Sequence, residues 1–247
     1  MYLLLSGEGA GDIGVCNPSA ESCDRTNFKQ GPMAMIVDQL VSTFQGYEMS
    51  HLDTDRVSFV SEAYLKTNKL APKAKAMALR GKKKPAETKY FYENARALAA
   101  AAKAKSAELN DKVVAILFRD SDGTSSAGRG NWEDKRNSMI EGFLAEAFEL
   151  GVAMVPKPKS EAWLLCATKV NPYQHCIALE DESGNDRSGN SLKHQLSVSL
   201  RGNSETRELN ILISNMTIDV NKIEMPSFDA FKKDLRLAVT RANSVEL

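Results

Sequence analysis

Several things are scarce in this chain of 247 residues, and each scarcity narrows what it can be. Net charge is absent: 32 basic residues balance 32 acidic ones, so any nucleic-acid contact must come from a local basic patch. No apolar run approaches the length of about 18 residues that a membrane span needs, and no charged-then-apolar leader is present. Neither secretion nor a membrane span is therefore expected, and a cytoplasmic location is. Histidine is rare, and His51, His175 and His194 have no partner spacing that argues for catalysis. There are only four cysteines. Cys16 and Cys23, and Cys166 with the His175–Cys176 pair, lack a tight C-x-x-C spacing. Free thiols are the expectation, with a zinc site as the alternative.

What is present is a globular composition, 43% apolar and 26% charged. Two apolar runs end in acids and glycine. Tyr2–Leu5 runs into Ser6-Gly7-Glu8-Gly9-Ala10-Gly11-Asp12. Val113–Phe118 runs into Arg119-Asp120-Ser121-Asp122-Gly123. Unbroken runs of this kind fit strands buried on both faces, as in a parallel sheet. Ligand sites of such sheets form outside the carboxyl ends of the strands, where these acids would stand. Grouped carboxylates repel one another unless they share a proton or bind a cation, and all-oxygen ligands suit Mg²⁺ or Mn²⁺. In the bland alternative, the acids cap turns and helix starts.

Between and after the two runs, periodicity sets out the remaining elements. Gly9–Gln30 reads as a loop. Met33, Ile36, Val37, Leu40, Val41 and Phe44 have helical spacing, with Pro32 in the first turn and Gly46 near the end. Val57–Val60 reads as a short strand. Glu87–Leu109 predicts an alanine-rich helix. Trp132–Leu150 predicts a helix closed by Gly151 at C′. Val152–Val155 predicts another buried strand. Ser160 is placed to cap a helix carrying Trp163, which reads as core. Leu192–Leu200 is short and amphipathic. Leu209, Leu212, Ile213, Met216, Val220 and Ile223 form one helical stripe, and Ser227 opens a last helix with Phe228, Phe231, Leu235 and Val239. The strand–helix alternation around 113–155 implies right-handed crossovers. The expected architecture is α/β, a Rossmann-like, mostly parallel sheet over residues 1–170, followed by a helical C-terminal lobe over 171–247. A basic insertion near 61–85 interrupts the first unit. Lys73, Lys75, Arg80, Lys82, Lys83 and Lys84 within it are candidate nucleic-acid contacts, because clustered cations release counterions on a polyanion. The other reading of this insertion is a solvated segment.

The Glu-Gly-x-x-Asp pattern of Glu8–Asp12 after one strand, and the Asp-x-Asp of Asp120–Asp122 after another, resemble the Toprim domain of topoisomerases, primases and OLD-type nucleases. Lys159-Ser160-Glu161-Ala162-Trp163-Leu164 is similar to a Glu-x-Trp-Leu segment of small bacterial Toprim-like proteins related to OLD and RloB. The resemblance covers about residues 1–168; the long basic and alanine-rich stretch departs from it, and the C-terminal segment has no counterpart. It implies a Mg²⁺- or Mn²⁺-dependent nuclease acting on DNA or RNA, in anti-phage defence and with a partner ATPase. It assigns Glu8, Asp120, Asp122 and Glu161 as metal ligands. Glu8, Asp120, Asp122 and Lys193 are the catalytic set, and Asp12, Arg119 and Lys159 support them. Two other functions fit the acids: a non-catalytic regulatory or nucleic-acid-binding protein that keeps the fold, and a receiver-type phospho-acceptor.

Overall fold

The computed structural model describes residues 1–72, 86–121 and 131–244. Strand β1 (Tyr2–Gly7) lies at the centre of a five-stranded sheet. It is flanked in parallel by β5 (Val57–Ser61) and β6 (Val113–Phe118), and β7 (Gly151–Met154) continues in parallel beyond β6. The short β3 (Ser22–Asp24) closes the other edge antiparallel to β5. Strands β2 (Gly14–Cys16) and β4 (Phe28–Gln30) form a separate antiparallel pair in the excursion after β1. The chain is thus a mixed α/β protein built on a mostly parallel sheet, in line with the sequence-based expectation at that level.

The period-two rule explains the layers, because alternate residues of a strand face opposite sides. Leu3, Leu5, Val114, Ile116 and Val152 face a core closed by α1 (Pro32–Gln45), α5 (Ser160–Thr168) and α8 (Pro226–Asn243). Tyr2, Leu4, Val113, Ala115 and Leu117 face the opposite core, under α3 (Ala86–Leu109) and α4 (Trp132–Ala145). The alanines of α3 let α4 come close: a Cβ on Gly142 would stand 2.5 Å from the Tyr92 carbonyl oxygen and 2.7 Å from Ala95 Cβ. Trp163 is buried against Phe228 and Phe231, at ring distances of 4.9 and 5.7 Å, and its indole N–H donates to Ser227 Oγ at 2.8 Å. The segment after residue 171 carries α6 (Leu192–Ser199), α7 (Thr206–Ser214) and α8, and its apolar side chains share the core of α1 and the sheet. Helix α2 (Glu62–Thr67) follows β5 directly, with Ser61 accepting from the Tyr64 N–H at its start.

Four expectations are corrected. The helix from Trp132 ends at Ala145, and Gly151 is the first residue of β7. Its glycine is required because a Cβ there would lie 2.2 Å from the Phe143 ring. The apolar stripe from Leu209 is broken: α7 stops at Ser214, Met216 has a left-handed φ of 61°, and Val220 sits in a 3₁₀ turn. Ser160 is the first residue of α5, with Lys159 at the cap position, and its hydroxyl makes no cap bond. The cysteines are paired as Cys16–Cys23 and Cys166–Cys176, so neither free thiols nor thiolate zinc ligands remain. Among the described residues no helix is long and apolar enough to cross a membrane.

One buried titratable group lies far from the strand ends. Asp38 Oδ1 accepts from the His51 and Leu52 backbone N–H groups at 2.7 and 3.3 Å and so holds the loop after α1. The His51 ring is fully buried, and its pKa is pushed down to about 4 by burial first, then by the amino terminus and Arg56. A depressed histidine favours the folded state fully above its ordinary value of 6.5, and that contribution drains as pH falls toward 4. We expect His51→Gln to flatten the loss of stability between pH 6.5 and 4 relative to the wild type, by up to about 1.4 kcal/mol per pH unit. Urea midpoints of both proteins at several pH values check this, and identical pH slopes would contradict it.

Candidate functional site

Residue pairing between β1 and β6 brings the two acid-bearing strand ends side by side, with Gly7 opposite Phe118. The approach is tight: a Cβ on Gly7 would stand 2.6 Å from the Phe118 carbonyl oxygen. Glu8 leaves β1 next to Arg119 and Asp120. The chain then makes one π-type turn, Gly9–Ile13, that folds Asp12 back toward the strand ends. Gly9 makes this turn at φ 81°, where a Cβ would collide with the Asp12 carboxylate at 2.3 Å.

The ends of β6 and β7 are laced together by backbone. The Arg119 N–H donates to the Met154 carbonyl at 3.0 Å, and the Ser121 N–H donates to Pro156 at 3.2 Å. Ser121 Oγ adds a bond to the Pro158 carbonyl at 3.2 Å. This lacing sets α5 beside β6. The fully buried Ser160 then donates its backbone N–H to Asp120 Oδ1 at 2.9 Å and its hydroxyl to Asp12 Oδ1 at 2.7 Å. The hydroxyl predicted to cap the helix is therefore used to join two site carboxylates.

The electrostatics follow from crowding. Burial raises the Asp120 pKa well above its ordinary value, Asp12 and Glu161 add to the rise, Glu8 adds less, and the Ser160 N–H opposes it. Burial also raises Asp12, against the Ser160 hydrogen bond and the charges of Lys159 and Lys193. Glu161 is raised by burial, with Asp12 and Asp186 adding to it and its own backbone N–H and Lys159 opposing. Glu161 Oε2 is buried without a hydrogen-bond partner. Asp120 thus feels Asp12, Glu161 and Glu8, and Glu161 feels Asp12. Among the described residues, no three His, Cys, Asp or Glu side chains form a group that could hold a metal ion. Asp122, the fourth expected ligand, lies outside the described residues.

Arg119 sits at the mouth of the crevice between two carboxylates. Its Nη2 is 3.1 Å from Glu8 Oε2, and its Nη1 is 2.7 Å from Glu62 Oε1. Its guanidinium lies over the Tyr90 ring at 4.3 Å, and the Tyr90 hydroxyl also donates to Glu62. Lys159 pairs with Asp186 at 2.9 Å, and Lys193 is exposed on α6, near enough to lower Asp12. Of the basic insertion, Lys66 and Lys69 are described, and both are paired, with Glu62 at 3.3 Å and Glu93 at 2.8 Å. Lys73, Lys75, Arg80, Lys82, Lys83 and Lys84 lie outside the described residues. A groove of about 440 Å³ is lined by Gly7, Ala10, Val15, Glu21, Ser61 and Ala63 among others, while the space that Glu8 lines with Glu62 and Arg119 is only about 10 Å³.

Two participants escaped the sequence reading and a third was read for the wrong role. Glu62 stands at the end of β5 just as Glu8 stands at the end of β1, so an acid directly after a buried strand was the available signal. Lys135 of α4 is buried and donates its ammonium to the Ser121 carbonyl. Ser160 was singled out, but for the wrong bond. The chain matches no family model, no curated protein and no solved structure.

A raised carboxyl pKa means that folding favours the protonated form. That contribution is complete below the unfolded value of 3.8 and is lost as pH rises through the folded value. At neutral pH the Asp120 charge is therefore a cost to the fold. Asp120→Asn keeps Oδ1 for the Ser160 N–H and removes that cost. We expect a higher melting temperature at pH 7 by a few degrees, since about 1 kcal/mol moves a chain of this size by about 2–4 °C. The gain should shrink toward pH 4, and an unchanged or lower melting temperature at pH 7 would contradict the assignment.

Proposed function

We propose that this protein is a divalent-cation-dependent nuclease of the Toprim-like kind, hydrolysing phosphodiester bonds at the carboxyl ends of β1, β6 and β7. The observation that carries the reading is the convergence of Asp120, Asp12, Glu161 and Glu8, in which each neighbour raises the cost of ionising Asp120. A cluster of this kind lowers the stability of the chain that keeps it, and perturbed carboxylates gather at functional sites. The donor set is oxygen only, and the unpartnered buried Glu161 Oε2 is a ligand atom in search of a cation. The described carboxylates do not by themselves form a group that could hold a metal ion; on this reading Mg²⁺ or Mn²⁺ would be held by Glu8, Asp120 and Glu161 together with Asp122, which lies outside the described residues.

When bound, such an ion supplies Lewis acidity toward a phosphoryl oxygen and makes a bound water easier to deprotonate. The chain's own residues do the rest. Ser160 fixes Asp120 and Asp12 in register. Glu8 is the candidate general base for the attacking water, which requires that it leave its pair with Arg119. Lys193 and Lys159 add positive charge on the α5–α6 side. The strand-end placement and the Glu-Gly-x-x-Asp and Asp-x-Asp patterns support the Toprim likeness. Nucleic acid as partner, the basic segment 73–84 as its contact, a partner ATPase and a role in phage defence belong to the same proposal. The cytoplasmic location expected from the sequence rested partly on free cysteines, and the two disulfides argue instead for an oxidising compartment.

A second reading, a binding or regulatory protein that keeps the fold, is favoured by one contact: Arg119 already neutralises Glu8. Purified protein separates the two. On the nuclease reading, Mn²⁺ at about 100 times its dissociation constant stabilises the wild type by about 2.7 kcal/mol. Single-stranded DNA, duplex DNA or RNA is cut. Asp120→Ala and Glu8→Gln fold, gain less from Mn²⁺, and lose more than about a hundredfold in cleavage. Variants that cleave like the wild type would contradict it, and a Mn²⁺ shift without cleavage of any of the three substrates would support the binding protein.

A further inference from the structure

Helices α4 and α8 stand on opposite faces of the sheet, and both pack at its β7 edge. An edge strand needs cover, and here the two helices flank it without meeting over its whole length. A groove of about 140 Å³ remains between them, floored by Phe143, Phe148, Gly151 and Ala238 and rimmed by Leu144 and Leu237. Leu144 on α4 is 59% exposed and Leu237 on α8 is 48% exposed. The charges of the two walls differ in sign. The exposed charged residues of α4 are Glu133, Asp134 and Glu141, and the exposed Glu149 follows just beyond it. Those of α8 from its third turn onward are Lys233, Arg236 and Arg241. Glu149 and Arg241 approach to 3.6 Å across one end of the groove, with side chains 71% and 57% exposed, so each has room for a second partner.

We propose that this groove is the interface of a symmetric dimer, with a second copy of the chain as its occupant. A two-fold axis running along the groove exchanges its walls, so that each α4 lies over α8 of the other copy. Leu144 then meets Leu237 of the second copy, and Glu149 meets its Arg241. Both contacts occur twice, because such an interface is isologous. The acidic wall faces the basic wall at both places, and the exposed leucines leave water together. An axis across the groove would instead set α4 on α4, acid against acid. Charge therefore selects the first arrangement and fixes its register. The dimer makes no use of the strand-end carboxylates.

Sedimentation equilibrium of the full-length chain over a concentration series tests this. The wild type should sediment with twice the mass of the chain. Leu237→Glu sets a carboxylate against the acidic wall and should weaken the dimer at least about tenfold. Its far-ultraviolet dichroism should stay unchanged, because the side chain it replaces is exposed. Arg241→Glu and Glu149→Arg should each weaken the dimer similarly, since each sets like charges opposite one another twice. Mixed together, these two variants should form a heterodimer of near wild-type affinity, because opposite charges then face each other at both contacts. Mixing could not repair a folding defect in either variant. A wild type that remains a monomer up to roughly 0.1 mM, far above a micromolar Kd, would overturn the proposal, and the groove would then take another partner or none. A dimer that Leu237→Glu leaves intact would overturn it too, as would a mixture of the two charge variants that associates no more tightly than each alone.

Discussion

Ser160 donates two hydrogen bonds, its backbone N–H to Asp120 and its hydroxyl to Asp12, and these tie the end of β6 and the turn after β1 to the start of α5. The arrangement of the strand ends depends on this bridge. It holds two carboxylates in the same crevice although burial and mutual repulsion raise both pKa values. The bridge is possible because the β6 and β7 ends are joined by backbone bonds and because Trp163, one turn further along α5, is locked between Phe228 and Phe231. The aromatic cluster of the C-terminal segment thus reaches the site through α5: packing fixes the helix, the helix fixes Ser160, and Ser160 fixes the acids.

Charge at this crevice is arranged in two tiers. Deep in it, Asp120 and Asp12 have little compensation beyond hydrogen bonds from Ser160 and the charges of Lys159 and Lys193. At its mouth, Arg119 is shared by Glu8 and Glu62 and stacked on Tyr90. Isolated buried charges are costly, and pairing offsets the cost. The paired tier sits on the shielded framework of α2 and α3, while the uncompensated tier sits where three strands end. A fold selected for stability alone would have replaced the deep carboxylates by neutral groups.

Much of this was legible in the residues. Tyr2–Leu5 and Val113–Phe118 announced β1 and β6 because strands buried on both faces need unbroken apolar runs. Glycine and proline marked the limits of α1 correctly. What failed were features decided by distant neighbours. Gly151 looked like a helix terminator, but the Phe143 ring is what forbids a side chain there. The stripe from Leu209 had the right spacing, yet α7 ends at Ser214 and the later members reach the same core from irregular backbone. The cysteine partners are set by β2 and β3 meeting and by α5 ending beside the following 3₁₀ turn, which no spacing rule encodes. At the site, Glu8, Asp12 and Asp120 were chosen from strand-end chemistry and Glu161 from the Glu-x-Trp-Leu resemblance; Asp12, Glu161 and Glu8 all lie near enough to raise the Asp120 pKa. The Arg119–Glu62 pair joins residues 57 positions apart and was invisible to local pattern.

The proposal that Asp120, Glu161 and Glu8 help hold a cation is tested most directly by the position of Mn²⁺ in a soaked crystal, read from its anomalous scattering. The proposal predicts a peak beside Asp120, Glu161 and Glu8, at about 2.0–2.6 Å from whichever oxygens would hold it. A crystal soaked to saturation with no peak there, and with the Arg119–Glu8 pair intact, would contradict it.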